Sequence, residues 1–129
     1  MYDDKKVPIK IGDKDYNLIL TTAAEKEISK KYGGIAEFGN KIFKTEDFNM
    51  ALDEITELVV ILANQDIMLR NLDAAKKEPL LTAERVELTC SPVELVAFGE
   101  PIIEAFSRGL QRNIESETEV GDSKNAEVG

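Results

Sequence analysis

The chain has 129 residues, 43% of them hydrophobic and 32% charged, so it can build one core of ordinary size and has little room for a second. Its 16 Lys and Arg stand against 25 Asp and Glu, and the resulting formal net charge of −9 is the wrong sign for a generic binder of nucleic acid or anionic membrane. With no His and one Cys, Cys90, the usual zinc and haem ligand sets, the Ser/His and Cys/His nucleophile pairs and an internal disulfide are excluded.

Residues 1 to 20 never follow a basic start with an apolar run and a small-residue cleavage site. The longest strongly apolar stretch, Leu58 to Ala63, is far short of the roughly 20 residues that span a bilayer. A soluble intracellular protein is expected.

Val7, Ile9 and Ile11 alternate with Pro8 and Lys10, the polar run from Gly12 to Asp15 intervenes, and Tyr16 to Leu20 follows. This pattern predicts a β-hairpin over 7–20, with the first strand at an edge because Pro8 has no amide to donate. Two strands are marginal alone, so the hairpin must pack on something. Thr22 and Glu25 have capping-box spacing and predict a helix start, with Ala24, Ile28 and Tyr32 among its apolar positions. Gly33-Gly34 then closes that helix with a positive φ. Ile35, Phe38, Ile42 and Phe43 predict a second, short helix.

Thr45 is the predicted cap of the longest helix, whose apolar stripe runs through Phe48, Leu52, Ile55, Leu58, Leu62 and Leu69, interrupted at Gln65 and Asp66. Lys76 to Pro79 is the expected stop, and Thr82 can cap a brief turn through Leu88. Ser91, Pro92 and Glu94 combine a cap, a first-position proline and a capping-box acid, so the last helix begins at Pro92. Val96, Ile103 and Leu110 at heptad spacing, with Phe98, Ile102 and Phe106 beside them, give it a broad apolar face. Pro101 should kink it near Ala97. Residues 115 to 129 hold four Glu and one Asp against one Lys, which is −4 of the total −9, and read as a disordered acidic tail after a single domain over 1–114. The fold class is therefore mainly α, a small N-terminal hairpin packed on a bundle of four to five helices.

No set of convergent chemical groups emerges. Asp53/Glu57 and Glu100/Glu104 sit at helical spacing but beside Lys, Arg and Asn on predicted solvent faces. Cys90 has no nearby cation to lower its thiol pKa and reads as a small hydrophobe. Gly33-Gly34 lacks the Gly-Lys-Ser/Thr of a phosphate loop. The long helix is apolar beyond one stripe, which makes Val60, Ile61, Ile67 and Met68, aided by Ile102, Ile103 and Phe106, candidates for a partner or self-association interface.

The order of elements, together with Leu20 to Gly34 and the run Leu58 to Ala63, resembles the tail assembly chaperones of long-tailed (siphovirus-like) bacteriophages of Gram-positive bacteria. The resemblance covers residues 7 to about 114. It implies a non-enzymatic, cofactor-free, homo-oligomeric protein of the bacterial host cytoplasm that binds the tape measure protein and keeps it soluble while the tail tube polymerises around it. The tail tube protein is a second implied partner. Such a chaperone is absent from the mature virion and engages neither nucleic acid nor membrane. It also implies production in two lengths by a backward frameshift, for which Ser123-Lys124-Asn125 can be encoded as TCA-AAA-AAC with its slippery A-AAA-AAC heptamer. Alternative readings are a minor virion connector, which would remain in finished particles, and an acidic DNA mimic, which would need its carboxylates spread over the folded surface.

Overall fold

The structure, a computed structural model, describes residues 3–34 and 48–110. The predicted helix from Ile35 to Phe43, the Thr45 cap, the acidic tail and the Ser123 to Asn125 site lie outside these residues. Within them the chain is mainly helical, with a two-stranded antiparallel hairpin at the N-terminal end.

Strand β1 (Val7–Ile11) pairs with β2 (Lys14–Leu18), Val7 opposite Leu18 and Ile11 opposite Lys14. The connection is two residues, Gly12-Asp13, rather than the four expected. Gly12 has φ +61° and Asp13 does not enter the positive region, the φ pattern of a type II′ turn. Lys14 and Asp15 look like loop residues because they are polar, yet they continue the strand, and Asp15 pairs with Lys10 across the ladder at 3.0 Å. Val7, Ile9, Ile11, Tyr16 and Leu18 all point to the buried face, as period-2 alternation requires. The ladder stops at Leu18. Ile19 turns its amide away from β1 and donates it to the carbonyl of Leu62 at 3.2 Å, tying the strand exit to the long helix.

Helix α1 (Thr22–Tyr32) is capped one residue earlier than expected. Thr21, not Thr22, accepts the Ala24 amide at 3.0 Å, and its hydroxyl donates to Gln65, so one side chain both caps α1 and joins it to the long helix. Gly33, with φ +97°, closes α1 by donating its amide to the Ser29 carbonyl at 2.9 Å.

Helix α2 (Phe48–Asn71) is about 36 Å long. It ends at Asn71, before the predicted stop at Lys76. The ammonium of Lys77 donates to the carbonyls of Asn71 at 2.6 Å and Ala74 at 3.2 Å, while the Asn71 amide exchanges two hydrogen bonds with the Glu78 backbone. These bonds satisfy groups that another helical turn would have served. Asn64 pins the returning chain in the same manner, through both backbone groups of Leu81 at 2.7 and 3.0 Å.

Helix α3 (Ala83–Thr89) starts at the Thr82 cap and runs one residue past the expected Leu88. Helix α4 (Pro92–Ala97) has the complete capping box: Ser91 Oγ accepts the Glu94 amide and Glu94 Oε1 accepts the Ser91 amide. At Phe98 the helix gives one turn and resumes as α5 (99–110). This is the kink expected from Pro101, which has no amide for the Ala97 carbonyl. The helical pattern restarts with the Ile102 amide on the Phe98 carbonyl at 3.0 Å.

Helix α2 is the central element, in contact with β2, α1, α3 and α4. Leu58, Val59 and Leu62 are fully buried there together with Leu18, Ile28 and Ile102 from the surrounding elements. Helix α5 approaches the β2–α1 junction so closely that a Cβ on Gly109 would lie 2.9 Å from Leu20 Cβ and 3.2 Å from the Leu20 carbonyl oxygen. Gly109→Ala gains about 1 kcal/mol of helix propensity but overpacks a junction whose obstacles include backbone. The expected outcome is a net loss of about 1 to 2 kcal/mol in urea unfolding, whereas a stabilised variant would show that the junction yields.

Candidate functional site

The apolar and charged side chains that the fold leaves accessible define what the described residues can bind. Of the seven residues proposed from sequence for an interface, Ile61, Ile67, Ile102 and Phe106 are buried in the core and Val60 is half-buried against it. They offer no free surface in this structure. Their burial follows from cover that the sequence reading did not count: α3 and α4 fold back onto α2 as well as the hairpin and α1. Met68 and Ile103 are exposed.

The exposed apolar residues lie elsewhere. Leu88 is 77% exposed, Val93 78% and Leu72 73%, with Leu80 and Val96 near one half. On α4 and α5 the inner stripe is Leu95, Phe98, Ile102, Ala105 and Phe106. Val93, Val96 and Ile103 lie outside that stripe and are exposed. The broad face inferred from sequence is thus two stripes, one in the core and one facing out. Placing Leu95, Phe98 and Ile102 inside would have revealed the second stripe from the sequence alone; heptad spacing of Val96 with Ile103 pointed to the right pair but not to its side.

The polar interruption of α2 has a structural purpose that sequence reasoning missed. Gln65 and Asp66 are buried. Gln65 accepts the Thr21 hydroxyl and donates to the Ile61 carbonyl at 3.0 Å. Asp66 accepts from Asn17 of β2 at 3.2 Å and from Arg70, and lies 3.4 Å from the Lys6 ammonium. Arg70 extends the chain of contacts to Glu78 with two N–H···O bonds at 2.7 and 2.8 Å. Burial pushes the Asp66 carboxyl up, but the hydrogen bonds from Asn17 and Arg70 and the charges of Arg70 and Lys6 outweigh it and hold the pKa below the ordinary aspartate value. The cluster clamps the hairpin and the 72–82 connection to α2.

Two further carboxylates, Glu57 and Glu104, sit in separate, smaller contacts. Glu57 bonds Lys31 and Tyr32 at the end of α1. Burial lifts its carboxyl, and those two hydrogen bonds and the Lys31 charge more than offset this, leaving the pKa low. Burial and the Glu57 bond push the Tyr32 hydroxyl up. Glu104 accepts two bonds from Arg108 at 2.7 and 3.0 Å, and Arg108 also reaches the Lys6 carbonyl at 2.6 Å. Cys90 is half-buried, and burial, with the nearby Glu94 charge, pushes its thiol up, the reverse of what a nucleophile needs. Among the described residues no group of three or more His, Cys, Asp or Glu side chains is placed to hold a metal ion, and no helix is long and apolar enough to cross a membrane.

Compared with models of known protein families, with curated proteins and with solved structures, the chain matches none.

Proposed function

We propose that this chain is a tail assembly chaperone of a long-tailed bacteriophage of a Gram-positive host, a non-enzymatic protein that binds the tape measure protein and keeps it soluble during tail tube assembly. The observation that carries the reading is the outward stripe of Val93, Val96 and Ile103 on helices whose inner stripe already serves the core. A helix that is apolar on two sides and covered on one has surface to give to another apolar chain. The element order and the Leu20 to Gly34 segment that resemble the family support the same reading. A net charge of −9 would keep a complex with an apolar client dispersed.

Co-expression with the phage's tape measure protein tests it. The client is expected to shift from the insoluble to the soluble fraction and to co-purify with several copies of this chain. The triple variant Val93→Ser, Val96→Ser, Ile103→Ser should lose the client while retaining its own helical circular dichroism. A client equally soluble without this chain, with no complex formed, overturns the proposal. Recovery of the chain from finished virions favours the connector reading.

A further inference from the structure

A cleft of about 320 Å³ lies between the early turns of α2 and the α3–α4 junction. Leu52 from one wall and Pro92 and Leu95 from the other give it an apolar lining. Each wall also contributes one exposed carboxylate, Asp53 from α2 and Glu87 from α3. Neither acid has an ion-pair partner among the described residues. Thr56 stands three positions after Asp53 and four after Leu52, which puts the three side chains on one face of α2.

Thr56 is the polar group inside the cleft. The residue is only 3% exposed and belongs to the lining. A helical threonine can return its hydroxyl to the carbonyl one turn back, as Thr89 does to Arg85 at 2.7 Å. The Thr56 hydroxyl has no hydrogen-bond partner among the described residues. A buried hydroxyl left unserved costs free energy, so it favours an occupant of the cleft that can bond it. Cys90, which also lines the cleft, is differently placed, because its thiol already bonds Thr89 and the Gly12 backbone.

We infer that the cleft binds a primary ammonium carried on an aliphatic stem of about four carbons. The stem lies against Leu52, Pro92 and Leu95, and the three N–H donors of the ammonium serve the Asp53 and Glu87 carboxylates and the Thr56 hydroxyl. A neutral group of the same size would fill the space without answering the two negative charges. A metal ion is poorly served, since among the described residues no three His, Cys, Asp or Glu side chains are placed to hold one. The same ammonium chemistry is presented by a free aliphatic diamine and by a lysine side chain of a partner protein. The inference stands on this cleft and does not depend on the chaperone proposal.

Titration of the full chain with 1-aminobutane at low salt, followed by the backbone amide signals in a ¹⁵N–¹H NMR spectrum, is the test. Saturable shifts centred on Thr56, Glu87 and Cys90 are expected, weakening as salt is raised. The neutral analogue 1-butanol should bind about tenfold more weakly or worse, since it lacks the charge. Asp53→Asn with Glu87→Gln, at exposed positions, should weaken the amine by about tenfold or more without changing the circular dichroism. Thr56→Val, which keeps the shape and removes the hydroxyl, should weaken it by about threefold to tenfold. Cadaverine and a capped lysine peptide then separate the two sources, the tighter of them identifying which the cleft serves. Absence of saturable shifts, equal binding of 1-butanol, or an Asp53/Glu87 variant that binds the amine as tightly as the wild type overturns the inference.

Discussion

Leu62→Ala is expected to cost about 2 to 5 kcal/mol in urea unfolding, the range for emptying a fully buried leucine site whose walls cannot collapse. Leu62 has no solvent exposure and sits in the middle of the helix that β2, α1, α3 and α4 all touch. Its carbonyl also holds the Ile19 amide, so the backbone on one side of the void is fixed in place. Leu72→Ala, the same leucine chemistry just past the end of α2 but 73% exposed, should change stability by no more than about 0.5 kcal/mol. Equal costs for the two variants would show that α2 is not the centre of the core.

Asp66→Asn should be the most damaging of the polar substitutions, by about 1 to 2 kcal/mol at neutral pH. The asparagine preserves shape but removes the charge on which Lys6 and Arg70 converge. Arg70 is half-exposed and can return to water, which keeps the loss below that of a fully buried pair. The pH dependence follows from the direction of the shift. Because the folded carboxyl titrates below its unfolded value of 3.8, its contribution is complete above that value and disappears as the pH falls through the lower, folded pKa. The stability gap between wild type and variant should therefore be constant from pH 7 to about 5 and close below pH 4. A gap that persists unchanged into stronger acid would assign the effect to packing instead of charge.

Signals that act within a few residues were readable in the sequence. The Ser91–Glu94 capping box, the Thr82 cap, the Gly33 stop and the break near Pro101 each depend on hydrogen bonds spanning three or four positions, and each is where the residues say it should be. The hairpin was legible from alternation, while its turn was not: Asp15 lies on the wet face of β2 and Lys14, although on the face of Tyr16 and Leu18, is exposed at the strand's first position, and polarity alone does not separate such positions from a loop. The end of α2 depended on Lys77 and Glu78, six and seven residues beyond Asn71, whose bonds exist only once the chain has turned back. Burial was the property least available from the sequence. Ile61, Ile67, Ile102 and Phe106 are core, and Leu88 and Val93 are surface, because of which elements cover α2, and hydrophobicity at a position measures the benefit of being covered without naming the cover. Likewise Gln65 and Asp66 look like a break in an apolar stripe until Thr21, Asn17 and Lys6, more than forty positions away, arrive to satisfy them. Local hydrogen bonding and periodicity determine the elements; the pairing of distant surfaces, where each buried polar group must find its partner, is decided only in the folded chain.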